Sequence, residues 1–208
     1  MTAAEGIHLN KPTAQVLIFD GFEELDAFGI YEPLAAAGFD VKLVSLRRQD
    51  VVTAAYGLKV IPHDLIRIDK KPSLLLIPGG GWLSRAPQGA WAEAERGDIL
   101  STIKEFHSAG VILAAVCTGA LLLARAGILK DRHATTNHRA IEELKGLGAR
   151  VIKARVVDDG DIVTAGGITS SLDLSLWLVE RFCGVEESIK LSGNLEFERR
   201  GTVWTKES

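Results

Sequence analysis

The residue with the clearest potential for chemistry is Cys117, in the segment Ala115-Val116-Cys117-Thr118-Gly119. An apolar run, Val111–Val116, ends directly before this thiol, and a helical segment, Gly119–Ala126, follows it. Small residues two positions before and two after a nucleophile are typical of a nucleophile elbow, because they permit a cramped strand-to-helix turn. Since the amino end of a helix favours negative charge, we expect a lowered pKa for this thiol. The alternative is that Cys117 packs as a small buried hydrophobe.

A glycine loop, Pro78-Gly79-Gly80-Gly81, follows a second apolar run, Ser73–Ile77. Its backbone N–H groups, together with the amide of Thr118, are candidates to bind an anion that forms beside Cys117. We therefore assign Gly79 and Gly80 to substrate or oxyanion binding. The alternative is that the loop is only a tight connection that requires positive φ.

Four carboxylates lie in the loop Asp20–Asp26, after the first apolar run, Ala14–Phe19. Most of them are expected to be solvated or to stabilise the first turn of the following helix. A carboxyl at the centre of the sheet could instead lie against Cys117. In its protonated form it would then pass a proton to a substrate.

The histidines give a weaker signal. His133 and His138 lie near a brief predicted strand, Ala134–Thr136, and His138 is assigned to substrate or oxyanion binding. The sequence has no set of His, Cys and carboxylate residues with the spacing of metal ligands. The glycine loop lacks the lysine of a P-loop, and no GxGxxG follows the first strand, so we expect neither a metal nor a cofactor.

Apolar strand-length runs alternate with amphipathic helical segments along the whole chain, which predicts a mainly parallel sheet with helices on both faces. Ligands of such sheets bind beyond the carboxyl ends of the strands. Two further hairpins are predicted, one at Thr53–Ile61 and one that joins Arg155–Val157 to Ile162–Ala165. We expect a flexible tail over residues 1–12 and a single domain over residues 13–208.

Composition restricts the class of protein. Of the 208 residues, 47% are hydrophobic and 25% are charged, and the net charge is −3, which is the balance of a globular protein without a basic surface. We therefore expect no nucleic-acid partner and, since no 18-residue apolar run is present, no membrane. The two cysteines do not form a disulfide framework, so a cytoplasmic location is predicted, with Cys183 buried as a small hydrophobe.

Over about Ala14 to Gly193 the chain resembles the ThiJ/PfpI superfamily, which has a class I glutamine amidotransferase-like fold. The matching segments are VLIFDGFEELDAFGIYEPL, LLIPGGG, AAVCTGALLLARAGIL, ATTNH and VVDDGDIVTAGGITSSLDLSLWLVE. The resemblance implies a flavodoxin-like three-layer α/β sandwich with a nucleophile elbow, a reactive cysteine at the elbow and a homodimer.

Within that superfamily the chain is most similar to the branch of isonitrile hydratase and the sensor domains of AraC-type regulators. Cys117 is followed by Thr118, whereas PfpI-type proteases and glyoxalases usually have histidine there, and the helix-turn acid is Asp26 rather than glutamate. The resemblance implies that Cys117, Asp26 and Thr118 are the catalytic residues. Asn137 occupies the position after the Thr-Thr pair where many relatives have histidine, so a Cys–His pair is not expected. We do not expect the helix-turn-helix domain that the regulators carry after this module.

The resulting hypothesis is a cysteine-dependent hydro-lyase that hydrates isonitriles to N-substituted formamides. The Cys117 thiolate would attack the isonitrile carbon while Asp26 supplies a proton, and Asp26 would then assist the addition of water. One alternative is a glyoxalase or deglycase that acts on reactive carbonyls. Another is a non-enzymatic redox or small-ligand sensor that oxidises at Cys117.

Overall fold

The computed structural model describes residues 11–206. The predicted flexible tail therefore falls almost entirely outside the described residues. At its end, the carbonyl of Pro12 accepts a hydrogen bond from the amide of Asp40 (3.0 Å), and the first strand begins at Thr13.

Strands and helices alternate through the described range. The strands are β1 (Thr13–Ile18), β2 (Asp40–Ser45), β3 (Val52–Thr53), β4 (Lys59–Val60), β5 (Asp64–Leu65), β6 (Leu74–Ile77), β7 (Ile112–Val116), β8 (His133–Ala134), β9 (Arg150–Val151), β10 (Val156–Asp158), β11 (Ile162–Ala165) and β12 (Trp204–Thr205). The helices are α1 (Glu24–Ala36), α2 (Ala90–Arg96), α3 (Asp98–Ser108), α4 (Gly119–Arg125), α5 (Ile141–Gly146), α6 (Ser170–Cys183) and α7 (Val185–Asn194), and a 3-10 turn, His138–Ala140, precedes α5.

One sheet organises the described residues, with strand order β12-β10-β11-β7-β6-β1-β2-β5. Neighbouring strands are parallel except for the β10–β11 hairpin, so that β10 and β12 run against the others. Helices α1, α6 and α7 pack together, and α2, α3 and α4 form a second group. Both groups contact the sheet, which confirms the predicted three-layer, flavodoxin-like α/β sandwich.

The central strands are apolar because helices cover both of their faces. Every residue of β6 and β11 is buried, and β1 and β7 are buried after their first residue. Such strands lose the alternation of apolar and polar residues, and this is why continuous apolar runs predicted them correctly.

The register of the central strands brings three loops together. Val16 of β1 pairs with Leu76 of β6, and Leu76 pairs with Ala114 of β7. The three strands therefore end at nearly the same level, so the loops that begin at Phe19, Pro78 and Cys117 meet at one edge of the sheet.

Several local predictions differ from the structure. Helix α2 and the short strands β5 and β12 were not expected, since two-residue strands and a seven-residue helix leave little periodic signal. Cys183 is exposed rather than buried, because it is the last residue of α6 and lies outside the α6 packing face. Both predicted hairpins are present, as β3–β4 and β10–β11.

The turn of the β10–β11 hairpin is a polar anchor as well as a connection. Asp158 is buried and accepts hydrogen bonds from Trp177 Nε1 (2.8 Å) and Arg181 Nη1 (3.0 Å) of α6. The ion pair with Arg181 thus joins α6 to β10. The carbonyl of Asp158 accepts from the amide of Lys206 (3.0 Å), which holds β12 beside β10.

Candidate active site

Cys117 is the strained residue at the junction of β7 and α4. Its φ is +55°, in the left-handed region that side chains other than glycine rarely adopt. The surrounding backbone holds it there: the Cys117 amide donates to the carbonyls of Ala165 (3.0 Å) and Gly166 (2.9 Å), and Thr136 Oγ1 donates to the Cys117 carbonyl (2.7 Å). The turn therefore has the geometry of the predicted nucleophile elbow.

The elbow requires a glycine two positions after Cys117. A Cβ on Gly119 would lie 2.3 Å from the carbonyl oxygen of Ile77 and 2.8 Å from that of Pro78. No side chain fits at that distance, so Gly119 lets α4 begin directly against the end of β6. This is the physical reason for the small residue two positions after Cys117.

Cys117 lines a cavity of about 350 Å³. Cys117 is 6% exposed, and the Nδ2 group of Asn137 lies 3.5 Å from Sγ. The cavity lining comprises Glu23, Tyr56, Gly80, Gly81, Trp82, Leu83, Ser84, Cys117, Thr118, Asn137, Arg139 and Ile168. A cavity of this size accommodates a small organic molecule.

The carboxyl of Asp26 lies next to the Cys117 thiol. It is 0% exposed, its Oδ2 accepts from the amide of Gly79 (2.9 Å), and its Oδ1 has no partner within the described residues. Burial raises the pKa of Asp26 to about 8, while the Gly79 amide and the Cys117 thiol beside it partly offset that rise. The carboxyl is therefore mostly protonated at neutral pH.

The lowered thiol pKa predicted for Cys117 is wrong. Burial and the neighbouring charge of Asp26 raise the pKa of the thiol to about 12, although Asn137 and the Thr118 amide act in the opposite direction. Helix α4 has only seven residues, and its dipole does not outweigh desolvation of the sulfur. The resting site thus holds a neutral thiol next to a neutral carboxyl.

The glycine loop is tied into the wall of the site. The amide of Gly79 donates to Asp26, and the amide of Gly80 donates to Thr118 Oγ1 (3.2 Å). Gly80 and Thr118 line the cavity, whereas Gly79 is not part of the lining. The structure thus brings Cys117, Asp26, Thr118, Gly79 and Gly80 together, with the two glycine amides already engaged inside the protein.

The carboxylates of the loop after β1 separate into distinct roles. Asp20 accepts from the amide of Thr53 (2.8 Å) and from Gln49 Nε2 (2.9 Å), and Glu24 accepts from the amide of Tyr56 (2.7 Å). These two acids hold the loop against the β3–β4 hairpin. Glu23 instead lines the cavity, and its presence there was not foreseen individually.

Neither candidate histidine reaches the sulfur. His138 lines a neighbouring groove of about 710 Å³, which shares only Asn137 and Ile168 with the Cys117 cavity. His133 Nδ1 lies 3.1 Å from Asp159 Oδ1, and its ring packs on Trp204. The nitrogen next to the sulfur is Nδ2 of Asn137. The position of Asn137 directly after the Thr-Thr pair was the signal in the sequence that could have pointed to it.

The aromatic side chains near the strand ends divide between cavity and core. Trp82 lines the cavity, and Trp91 packs edge-on against it with ring centroids 5.4 Å apart. Phe22 is fully buried. Tyr31 stacks on His63 and does not belong to the cavity lining. Tyr56, Arg139 and Ile168 are cavity residues that had no recognisable signal, since loop conformation alone places them there.

Within residues 11–206 no group of three or more His, Cys, Asp and Glu side chains is arranged to hold a metal ion. None of the helices described has the length and apolar character needed to cross a membrane.

Comparisons with known proteins agree on one family. The DJ-1/PfpI family matches residues 12–181. Isonitrile hydratase of Pseudomonas putida is 33% identical over 183 residues, which cover 87% of this chain and 76% of that protein. Deglycase TK1284 of Thermococcus kodakarensis is 29% identical over 168 residues, which cover 79% of this chain and 94% of that protein. The chain spans less than half the length of two Arabidopsis thaliana DJ-1 homologues that it also matches.

Among solved structures, DJ-1beta of Drosophila melanogaster superposes with a TM-score of 0.80 at 21% identity. The match covers 90% of this chain and 99% of that one. This likeness concerns the fold.

Proposed function

The chain belongs to the DJ-1/PfpI family, and from that premise we propose that it hydrates isonitriles to N-substituted formamides. The observation that carries the proposal is the buried, protonated carboxyl of Asp26 beside the Cys117 thiol. A relative of 33% identity is an isonitrile hydratase, which supports this choice of substrate.

The chemistry of an isonitrile suits this pair of groups. The terminal carbon of R–N≡C becomes electrophilic when it is protonated, so the reaction needs an acid before it needs a strong nucleophile. Asp26 gives its proton to that carbon, Cys117 Sγ forms a bond to it, and the thiol proton passes to the Asp26 carboxylate. The product is a thioimidate, R–N=CH–S–Cys117, with the carboxyl again protonated.

Thr118 and the amide of Asn137 orient the sulfur for this attack. Thr118 Oγ1 accepts from the Gly80 amide, which fixes the loop that carries Gly79 and hence the hydrogen bond to Asp26. Asn137 donates toward Sγ without titrating, whereas a histidine there would compete for the proton. The wall of Trp82, Leu83 and Ile168 supplies an apolar surface for the substituent R.

The decisive variant is Cys117→Ala, for which we expect formamide production to fall by at least about 10³-fold, because the covalent step has no other nucleophile. The measurement is formamide release from a set of alkyl and aryl isonitriles under reducing conditions. Cys183→Ala is the matched control, since that cysteine is exposed and lies outside the cavity lining. Wild-type rates in Cys117→Ala would rule out the scheme.

A second candidate is a deglycase or glyoxalase reaction on a reactive carbonyl, which the 29% identical deglycase favours. The same thiol would add to an aldehyde to give a hemithioacetal. Incubation with methylglyoxal followed by a lactate assay separates the two activities. Thr118 follows Cys117 where glyoxalases usually have histidine, which makes this route the weaker candidate.

A further inference from the structure

Two carboxyl groups lie near Cys117, and they differ in access to the cavity. Asp26 is fully buried and is not part of the cavity lining, whereas Glu23 is half-buried and lines the cavity together with Cys117 and Thr118. The charge of Glu23 acts on both other groups, since it raises the pKa of Asp26 and, more weakly, that of Cys117. Asp26 contacts the Cys117 side chain and so lies near the atoms that bond to sulfur, whereas a water molecule that enters the cavity meets Glu23.

The backbone of Glu23 is held in place by a hydrogen bond, and its carboxylate has no protein partner among the described residues. The amide of Glu23 donates to the carbonyl of Gly79 (2.9 Å), so its backbone is attached to the loop that binds Asp26. Within residues 11–206 the Glu23 side chain makes no hydrogen bond or ion pair, in contrast to Asp20 and Glu24 of the same loop. It is thus the carboxylate of this loop that remains available to a ligand.

We propose that Glu23 is the general base that activates water in the second half of the reaction. The inference rests on the proposed function, and it replaces the predicted role of Asp26 in that step. Asp26 is left with the acid role, for which a buried and protonated carboxyl is suited. Burial and the adjacent Glu24 raise the pKa of Glu23, which makes its carboxylate a stronger base than an ordinary surface glutamate.

Hydrolysis of the thioimidate balances in protons when Glu23 is the base and Asp26 is the acid. Glu23 takes a proton from water as the oxygen bonds to the thioimidate carbon, and Asp26 gives its proton to the imine nitrogen. The intermediate is R–NH–CH(OH)–S–Cys117. The C–S bond then breaks as the C=O bond forms, and the hydroxyl proton together with the proton on Glu23 restores the Cys117 thiol and the Asp26 carboxylic acid. The released product is R–NH–CHO.

The test is the fate of the covalent intermediate in Glu23→Gln. Without the base, attack by sulfur proceeds and hydrolysis slows, so we expect turnover to fall about 100-fold, within the range for loss of a general base. Intact-protein mass spectrometry should then show a Cys117 adduct heavier by the mass of one isonitrile. Asp26→Asn should form no adduct, because it blocks the earlier step. Glu32→Gln is the control, since Glu32 is an exposed acid of α1 outside the cavity lining.

Each outcome decides the proposal. Circular dichroism shows whether Glu23→Gln folds. If the folded variant has the wild-type rate, or loses activity without forming the adduct, the proposed role of Glu23 is wrong. The proposed isonitrile reaction would still stand. If Glu23→Gln does not fold, Glu23→Ala replaces it, and an unchanged rate without adduct in that variant is equally adverse. A wild-type protein that converts no isonitrile overturns the proposed function itself.

Discussion

At the scale of single residues, burial sets the protonation of Cys117 and Asp26. Burial raises the pKa of both groups, and the charge of Asp26 raises the pKa of Cys117 further, so both groups keep their protons near neutral pH. The thiolate is the species that peroxides oxidise, and a thiol held in the neutral form reacts slowly. This is the physical reason to prefer a substrate-driven enzyme over a redox sensor.

The protonated state of Asp26 predicts a characteristic pH dependence. The acid must hold its proton to start the reaction, so kcat/KM should be flat below pH 7 and fall about tenfold per pH unit above about 8. The measurement is a pH–rate profile for one neutral isonitrile between pH 6 and 10. Because burial raises the thiol pKa to about 12, no rising limb is expected in that range. A rate that increases between pH 7 and 9 would show that a free thiolate attacks and would contradict this account.

At the scale of elements, the site depends on close contact between the glycine loop and its neighbours. Gly80 has φ of +118°, and a Cβ there would lie 2.3 Å from the carbonyl oxygen of Gly21. A Cβ on Gly79 would lie 2.5 Å from Thr118 Oγ1 and 3.1 Å from Asp26 Oδ2. The loop after β6 therefore needs glycine for two reasons: Gly80 has a positive φ, and neither Gly79 nor Gly80 has space for a Cβ atom.

Gly80→Ala should destabilise the protein by roughly 2–4 kcal/mol, because it combines an unfavourable φ with a backbone clash. The measurement is the free energy of unfolding from urea denaturation. Gly193→Ala is the matched control: it lies in α7 with no atom within 4 Å of the added Cβ, and it should be neutral or stabilising by up to about 1 kcal/mol. Equal stability of the two variants would contradict the proposed packing of the loop.

At the scale of the whole molecule, large apolar side chains remain on the surface of the single chain. Tyr56 (82% exposed) and Ile61 (74%) belong to the β3–β4 hairpin region, and Ile189 (66%) and Val185 (57%) to α7. The homodimer implied by the family resemblance would cover part of this area.

We therefore expect a homodimer in solution, with a mass about twice 22.4 kDa by light scattering. Ile61→Lys and Ile189→Lys test the two apolar surfaces separately, because a buried lysine weakens the interface to which it belongs. The variant that lowers the dimer mass identifies the interface. A wild-type mass of one chain at micromolar concentration would refute the prediction.

The sequence by itself determined the central strands, the elbow and the set of candidate residues. Apolar runs such as Ser73–Ile77 and Val111–Val116 have the length of strands and predicted strands covered on both faces. The small residues around Cys117 predicted a tight turn, because the steric requirement of that turn involves only neighbouring residues. Features of this kind depend only on residues that are close in the sequence, so they can be predicted without knowledge of the tertiary structure.

The tertiary structure alone decided which groups share the site and in which protonation state. Four carboxylates follow β1, but only the packing of the loop shows that Asp26 is sealed, Glu23 faces the cavity, and Asp20 and Glu24 hold backbone amides. The pKa of Cys117 was predicted in the wrong direction because the helix start is visible in the sequence, whereas the desolvation that outweighs it is not. Desolvation of a side chain depends on atoms that are distant in the chain and that the fold brings around it. The spacing of residues in the sequence therefore does not predict it.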